Sequence, residues 1–430
     1  MSAPVVGFVG LTHLGLVSGV CAAEKGFRAM LFDPDEARIA ALKHHELPVS
    51  EPRLDELVAA NAARLRFSRR AGDLADCDVI YVAPDVATDD EGRSDLGPID
   101  ALLEIVFEAA RKDAVLVVLS QVPPGFTRGK QRAGRLLYYQ VETLIFGRAV
   151  ERALNPERYI VGCADPSRSL PAAYGAFLAA HGCPVLPMRY ESAELAKISI
   201  NMCLVASVST ANTLAELCER IGADWSEIVP ALRQDRRIGP YAYLAPGLGI
   251  AGGNLERDLA TVIRLAKEHQ TDAGVVKAWV ANSRHRRDWA VRIIREKVLD
   301  SNPRATVAVW GLAYKENTHS VKNSPSLAAI VQLHDVALRL HDPVVPASAA
   351  NHRNAVPAAD PLEAVAGADA LMILTPWPEY RLIAPERVAA AMRGRTVLDP
   401  YGVLDGQAAT SAGLDWYSLG CGVVPSGRSR

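Results

Sequence analysis

Residues 4–9, Pro-Val-Val-Gly-Phe-Val, form an apolar run of strand length that breaks into Gly10-Leu11-Thr12-His13-Leu14-Gly15. A helical pattern follows through Lys25, and a second apolar run, 29–32, ends on Asp33. Strand, glycine-rich turn, helix and strand, with an acid at the tip of the second strand, is the order of a dinucleotide-binding βαβ unit. Two parallel strands joined by a helix commit the chain to a sheet covered on both faces. Gly10 and Gly15 suit a tight turn and close helix–strand packing, while Thr12 takes the middle position, where a small residue lets a pyrophosphate approach. Asp33 is placed to accept hydrogen bonds from ribose hydroxyls and to repel a 2′-phosphate, which favours NAD over NADP. Gly10, Thr12, Leu14, Gly15 and Asp33 are therefore cofactor-binding candidates.

The strand–helix rhythm continues through 79–82 and 115–119 and begins again at 305–310, 370–375 and Leu398-Asp399-Pro400. Between the two halves, residues 192–221 carry apolar residues at helical spacing with no Pro and no Gly. Lys197 and Asn201 lie four apart there, on one helix face. A chain of 430 residues suits two or three domains. The expected fold is α/β: two Rossmann-like doubly wound domains joined by a long central helix region, divided as 1–188, 189–298 and 299–430.

A formal net charge of −2, with both signs interspersed, leaves no basic stripe for nucleic acid. The seven cysteines stand singly, without metal-ligand spacing, as buried thiols of a reducing compartment do. No charged leader opens the chain and no apolar stretch is read as approaching a membrane span, so no membrane and a cytoplasmic location are expected. The tail from Ser426 is short and basic and is expected to be disordered.

Residues 245–258, Ala-Pro-Gly-Leu-Gly-Ile-Ala-Gly-Gly-Asn-Leu-Glu-Arg-Asp, hold four glycines and run into a helical pattern. Such a backbone passes close to something, and it ends where helix N–H groups begin, which is a place for a ligand.

This loop resembles the active-site loop of the UDP-glucose/GDP-mannose dehydrogenases. The resemblance extends to Ser120-Gln121-Val122-Pro123-Pro124-Gly125, Asn155-Pro156-Glu157, Glu194-Leu195-Ala196-Lys197 with Asn201, Asp235–Pro240 and the 311–323 stretch, in the family's order. It implies NAD as cofactor and a sugar nucleotide as substrate. Lys197 and Asn201 would stabilise a developing oxyanion, with Asp258 and Glu157 as acids of the site. Asn254 stands where the family has a nucleophilic Cys, Arg257 where it has a Lys, and Gln121 where it has a Thr. Gln121 and Lys322 would face the cofactor; Arg237, Tyr243, Gly249, Gly253, Arg257 and Lys315 would face the substrate. Arg237 corresponds to an Arg that reaches a neighbouring subunit's substrate, which implies a homodimer.

The family oxidises a primary alcohol to a carboxylate in two hydride transfers, with a thiolate holding the aldehyde between them. Asn254 has no nucleophilic lone pair, so covalent capture there is excluded. The expected activity is a two-electron oxidation, or a transient oxidation and re-reduction such as an epimerisation. Two alternatives stand beside it: a four-electron 6-dehydrogenase that uses the aldehyde hydrate, and a catalytically silent homologue that binds a sugar nucleotide or NAD.

Overall fold

The computed structural model describes residues 3–87, 89, 93–251 and 253–422, so Gly252 and the tail from Ser426 lie outside the described residues. The chain divides into two compact units, Met1–Ile200 and Asn201–Arg430. The first is built on an eight-stranded sheet ordered β3-β2-β1-β4-β5-β6-β7-β8. Its strands are β1 (Val5–Val9), β2 (Arg28–Phe32), β3 (Leu65–Ser68), β4 (Val79–Val82), β5 (Val115–Val118), β6 (Leu136–Gln140), β7 (Tyr159–Cys163) and β8 (Val185–Arg189). All pairs are parallel except β6 with β7.

Side chains alternate between the faces of a strand, and here both faces are dry. Val6, Phe8, Val79, Tyr81, Val115 and Val117 enter one core, while Val9, Ile80, Val82, Leu116 and Val118 enter another on the opposite face. That is why these strands read as continuous apolar runs and not as alternating ones. Gly15 lies on the helix His13–Glu24, and a Cβ there would meet the Gly10 carbonyl oxygen at 2.0 Å. Only glycine allows that approach.

In the second unit a wholly parallel six-stranded sheet runs β11-β10-β9-β12-β13-β14. Its strands are β9 (Thr306–Trp310), β10 (Ala337–His341), β11 (Ala355–Pro357), β12 (Ala370–Ile373), β13 (Thr396–Leu398) and β14 (Asp415–Tyr417). Leu248 and the segment from Trp289 to Leu299 share its core.

The helix Tyr190–Ile221 runs for 32 residues, and the division between the units falls within it. In length and apolarity it meets the criteria of a membrane span. This corrects the expectation that no stretch approaches that length. Its polar side chains are nonetheless engaged inside the protein: Glu194, fully buried, accepts from the N–H groups of Gly125 at 2.6 Å and Thr127 at 2.8 Å. Asn212 accepts from Gly247 N–H at 2.8 Å. Val205 packs with Ile250, Leu259 and Val276, and Ala211, Ala215 and Cys218 pack with Trp225. These contacts bury one side of the helix, while Leu195, Leu214, Leu217 and Ile221 stay exposed on it.

Candidate active site

The carboxyl end of the first sheet holds the cofactor candidates. Gly10 turns the chain at φ +89° after β1. The first intrahelical bond then runs from Leu16 N–H to Thr12 O at 3.0 Å. The N–H groups of the first turn have no carbonyl behind them inside the helix, and a phosphate satisfies them. Thr12 directs its hydroxyl oxygen to Asp85 N–H at 2.7 Å. Leu14 is buried in the core, so only its main chain faces that end. Asp33 is buried and accepts from Leu11 N–H at 2.8 Å, Asp35 N–H at 3.0 Å and the Arg38 guanidinium at 2.8 Å. A glycine cradle, a helix N-terminus and a fixed acid at the tip of β2 fit a dinucleotide. Gln121 follows β5 beside Ser120, whose hydroxyl donates to Pro84 O at 2.5 Å.

Lys197 lies mostly buried and donates to the main-chain oxygen of Glu142 at 3.1 Å and to its Oε1 at 3.3 Å. Among the described residues, Glu142 Oε2 is buried with no hydrogen-bond partner. The acid that faces Lys197 is therefore Glu142, two residues past β6. This corrects the expectation for Glu157, which is mostly exposed and held by Arg152 at 2.8 Å and Arg158 at 2.9 Å. Those two guanidiniums keep the Glu157 carboxyl below its ordinary range, Arg152 most strongly. A carboxylate so paired on the surface is a poor base.

In the second unit, Asn201 donates through Nδ2 to Asp258 Oδ2 at 2.5 Å, and Arg257 Nε lies 3.3 Å from Asp258 Oδ1. Both Arg257 and Asp258 are buried. Asn254 is the exposed first residue of the helix Asn254–Glu268, with Gly253 before it. On that helix 254 and 258 are one turn apart, so Asn254 and Asp258 share a face.

At Gly249 the glycine-rich loop is shaped by packing within its own unit. Gly249 has φ +74°, and a Cβ there would meet Ser283 O at 2.4 Å. Ile250 N–H donates to Ser283 Oγ at 2.8 Å, and Leu248 and Ile250 are buried. What the backbone approaches at Gly249 is thus the helix Gly274–Arg287, not an open ligand face. Gly249→Ala should cost about 1–3 kcal/mol in a urea titration, from the left-handed φ and the clash together. An unchanged unfolding midpoint would contradict this packing.

Arg237 is exposed and paired with Asp235 at 2.6 Å, and Tyr243 is half-exposed. Lys315 follows β9 and sits 5.7 Å from the ring centre of Tyr314. Lys322 comes nearest to Gly253, with its Cγ 3.9 Å from where a Cβ would stand. Beside it Asn323 hydrogen-bonds Glu256 in the first turn of the Asn254–Glu268 helix. Burial raises the Glu256 carboxyl above its ordinary value, against the opposing effects of Asn323 and three nearby cations.

Comparisons with known proteins bear on the family. Residues 5–175 match the NAD binding domain of the UDP-glucose/GDP-mannose dehydrogenase family, residues 191–284 its central domain and residues 308–406 its UDP binding domain. A UDP-glucose 6-dehydrogenase of Pseudomonas aeruginosa is 30% identical over 417 residues, covering 91% of this chain and 92% of the relative. The chain belongs to this family. UDP-glucose 6-dehydrogenase TuaD of Bacillus subtilis is 29% identical, covering 96% of this chain and 93% of that protein. Among solved structures, a UDP-glucose dehydrogenase from Pyrobaculum islandicum superposes with a TM-score of 0.81 at 25% identity, covering 95% of this chain and 98% of the other. A UDP-D-ManNAc dehydrogenase from Pyrococcus horikoshii, at 21% identity and a TM-score of 0.83 over 97% of this chain and 100% of that one, shares the fold. This family member is an NAD-dependent nucleotide-sugar oxidoreductase, and NAD is its cofactor.

Proposed function

We propose that the chain is a UDP-sugar 6-dehydrogenase that oxidises a primary alcohol to a carboxylate without a covalent intermediate. The observation that carries this is the likeness to proteins named UDP-glucose 6-dehydrogenase over nearly the whole chain. NAD supplies the hydride acceptor. Lys197 and Asn201 donate to the oxygen that gains charge, and Asp258, bonded to Asn201, takes the alcohol proton. The orphaned Oε2 of Glu142 is suited to hold the water that hydrates the aldehyde, a role Glu157 cannot take from its surface ion pairs. Loss of a hydride from a hydrate needs no thiol, but an untethered intermediate must be bound and oriented. A homodimer in the cytoplasm belongs to the same reading; Leu195, Leu214, Leu217 and Ile221 leave an apolar face on the Tyr190–Ile221 helix for a second copy.

A second reading rests on Asn254, which supplies no thiolate: the enzyme stops at the aldehyde, or oxidises and re-reduces its sugar. Incubation with NAD and UDP-glucose, followed by counting NADH and weighing the product, separates them. Two NADH per uronate supports the hydrate route, whereas one NADH per aldehyde, or an inverted stereocentre without net NADH, supports the second reading. Binding without turnover across a panel of UDP-sugars would overturn both and leave a silent homologue. Asn254→Cys should, in a 6-dehydrogenase, produce a sugar-linked protein mass during turnover that the native chain lacks.

A further inference from the structure

The opposite, N-terminal edge of the first sheet carries a pocket that the reaction does not use. It encloses about 440 Å³ and is lined by Val5, Ala29, Met30, Asp76 and four arginines, Arg28, Arg64, Arg66 and Arg111. Arg66 is matched by Asp73 at 3.0 Å and Asp76 at 3.4 Å, and Arg111 by Asp78 at 2.9 Å and Asp113 at 3.2 Å. The Arg28 side chain has no hydrogen bond or ion pair among the described residues, and that of Arg64 donates only to the neutral Asn61 Oδ1 at 3.2 Å.

Strand register brings these two together. Ala29 pairs with Leu65 and Met30 with Arg66, and Ala29 N–H bonds Arg64 O at 2.9 Å, so one step back Arg28 lies beside Arg64. Residues at a spacing of two share a strand face, which puts Arg66 on the same side as Arg64. Like charges on neighbouring strands destabilise a sheet, and no carboxylate separates this pair. A guanidinium fork matches the oxygens of a phosphate bidentately, and two adjacent forks match a doubly charged anion.

We propose that this pocket is an anion site, separate from the dinucleotide site, for a small molecule bearing a phosphate or pyrophosphate group, held by Arg28 and Arg64 with the spare N–H groups of Arg66 and Arg111. Occupation relieves the repulsion between Arg28 and Arg64 and so stabilises the first unit.

Sodium pyrophosphate is the probe, added to the full chain with NAD filling its own site and ionic strength matched with sodium chloride. Calorimetry should show saturable binding and thermal unfolding a raised midpoint. Arg28→Gln with Arg64→Gln should weaken that binding about tenfold or more, as loss of two charge-assisted contacts does, and leave NAD affinity unchanged. In pyrophosphate-free buffer the same double variant should unfold no earlier than the native chain, because a repulsion has been removed. Absence of saturable heat in the native chain, or equal pyrophosphate affinity in the double variant, would overturn the site.

Discussion

Lys197→Met is expected to lower turnover of the UDP-sugar by about 10²–10³-fold, the size of effect seen when one donor to a developing oxyanion is removed. NAD affinity should stay unchanged, because the hydrogen bonds of Lys197 run to Glu142 and not to the cradle of Gly10, Thr12 and Asp33. The argument begins with position. The amine is mostly buried and is aimed by two contacts to one residue, the main-chain oxygen and Oε1 of Glu142. Met keeps the length of the stem and its packing but not the donor. It also leaves the Glu142 carboxylate without a cation, so some loss of stability accompanies the loss of rate. The two are separable: a structural role alone moves the urea midpoint and leaves kcat of the remaining folded enzyme near the native value. Lys197→Arg keeps charge with different geometry and should recover part of the rate. Native kcat in Lys197→Met would remove Lys197 from the chemistry.

Much of this site is legible in the chain because its rules are local. Gly10, Gly15 and Asp33 follow from the close approach of one helix to one strand, and residues 192–221 declare their helix by spacing. Glu157 is singled out over Glu142 in the sequence because it stands in the short motif Asn155-Pro156-Glu157. The difference is tertiary. Glu142 lies just past the carboxyl end of β6, beside the helix that carries Lys197, while Glu157 lies where two arginines reach it first. Gly249 shows the same limit in another form. A glycine demands room, but the sequence does not say whether a ligand or Ser283 fills it. The arginines at 28, 64 and 66 are ordinary surface residues until strand register sets two of them side by side.

The largest expected loss of stability is at Arg286, whose replacement by Met should destabilise the second unit by about 3–5 kcal/mol, as breaking a buried ion pair does. Arg286 is fully buried and donates to Glu219 Oε1 at 2.9 Å, with Glu216 Oε2 at 3.4 Å. Glu219 also receives Trp289 Nε1 at 3.0 Å and Gly420 N–H at 3.0 Å. Glu216 is bound by His285 at 2.8 Å and Arg292 at 3.1 Å. Met fills the volume but takes from the mostly buried Glu219 its Arg286 partner and from Glu216 one of three. Adding Glu219→Gln to Arg286→Met should recover part of the loss by removing the buried charge, although the single amide oxygen then accepts from only one of Trp289 and Gly420, which donate to different oxygens of Glu219. The network also sets a pH dependence. Burial opposes ionisation of Glu216, yet His285, Arg286 and Arg292 outweigh it and hold the carboxyl below its ordinary 4.5. An acid lowered on folding contributes stability that is full above the unfolded value and is lost as pH falls through the folded one. Urea titrations of the native chain should therefore weaken below about pH 4.5, and Arg286→Met should lose less stability over the same fall in pH, because without one of its three cations the folded Glu216 carboxyl moves back toward its unfolded value. If the two proteins lose stability in parallel across this range, Arg286 does not govern the ionisation of Glu216.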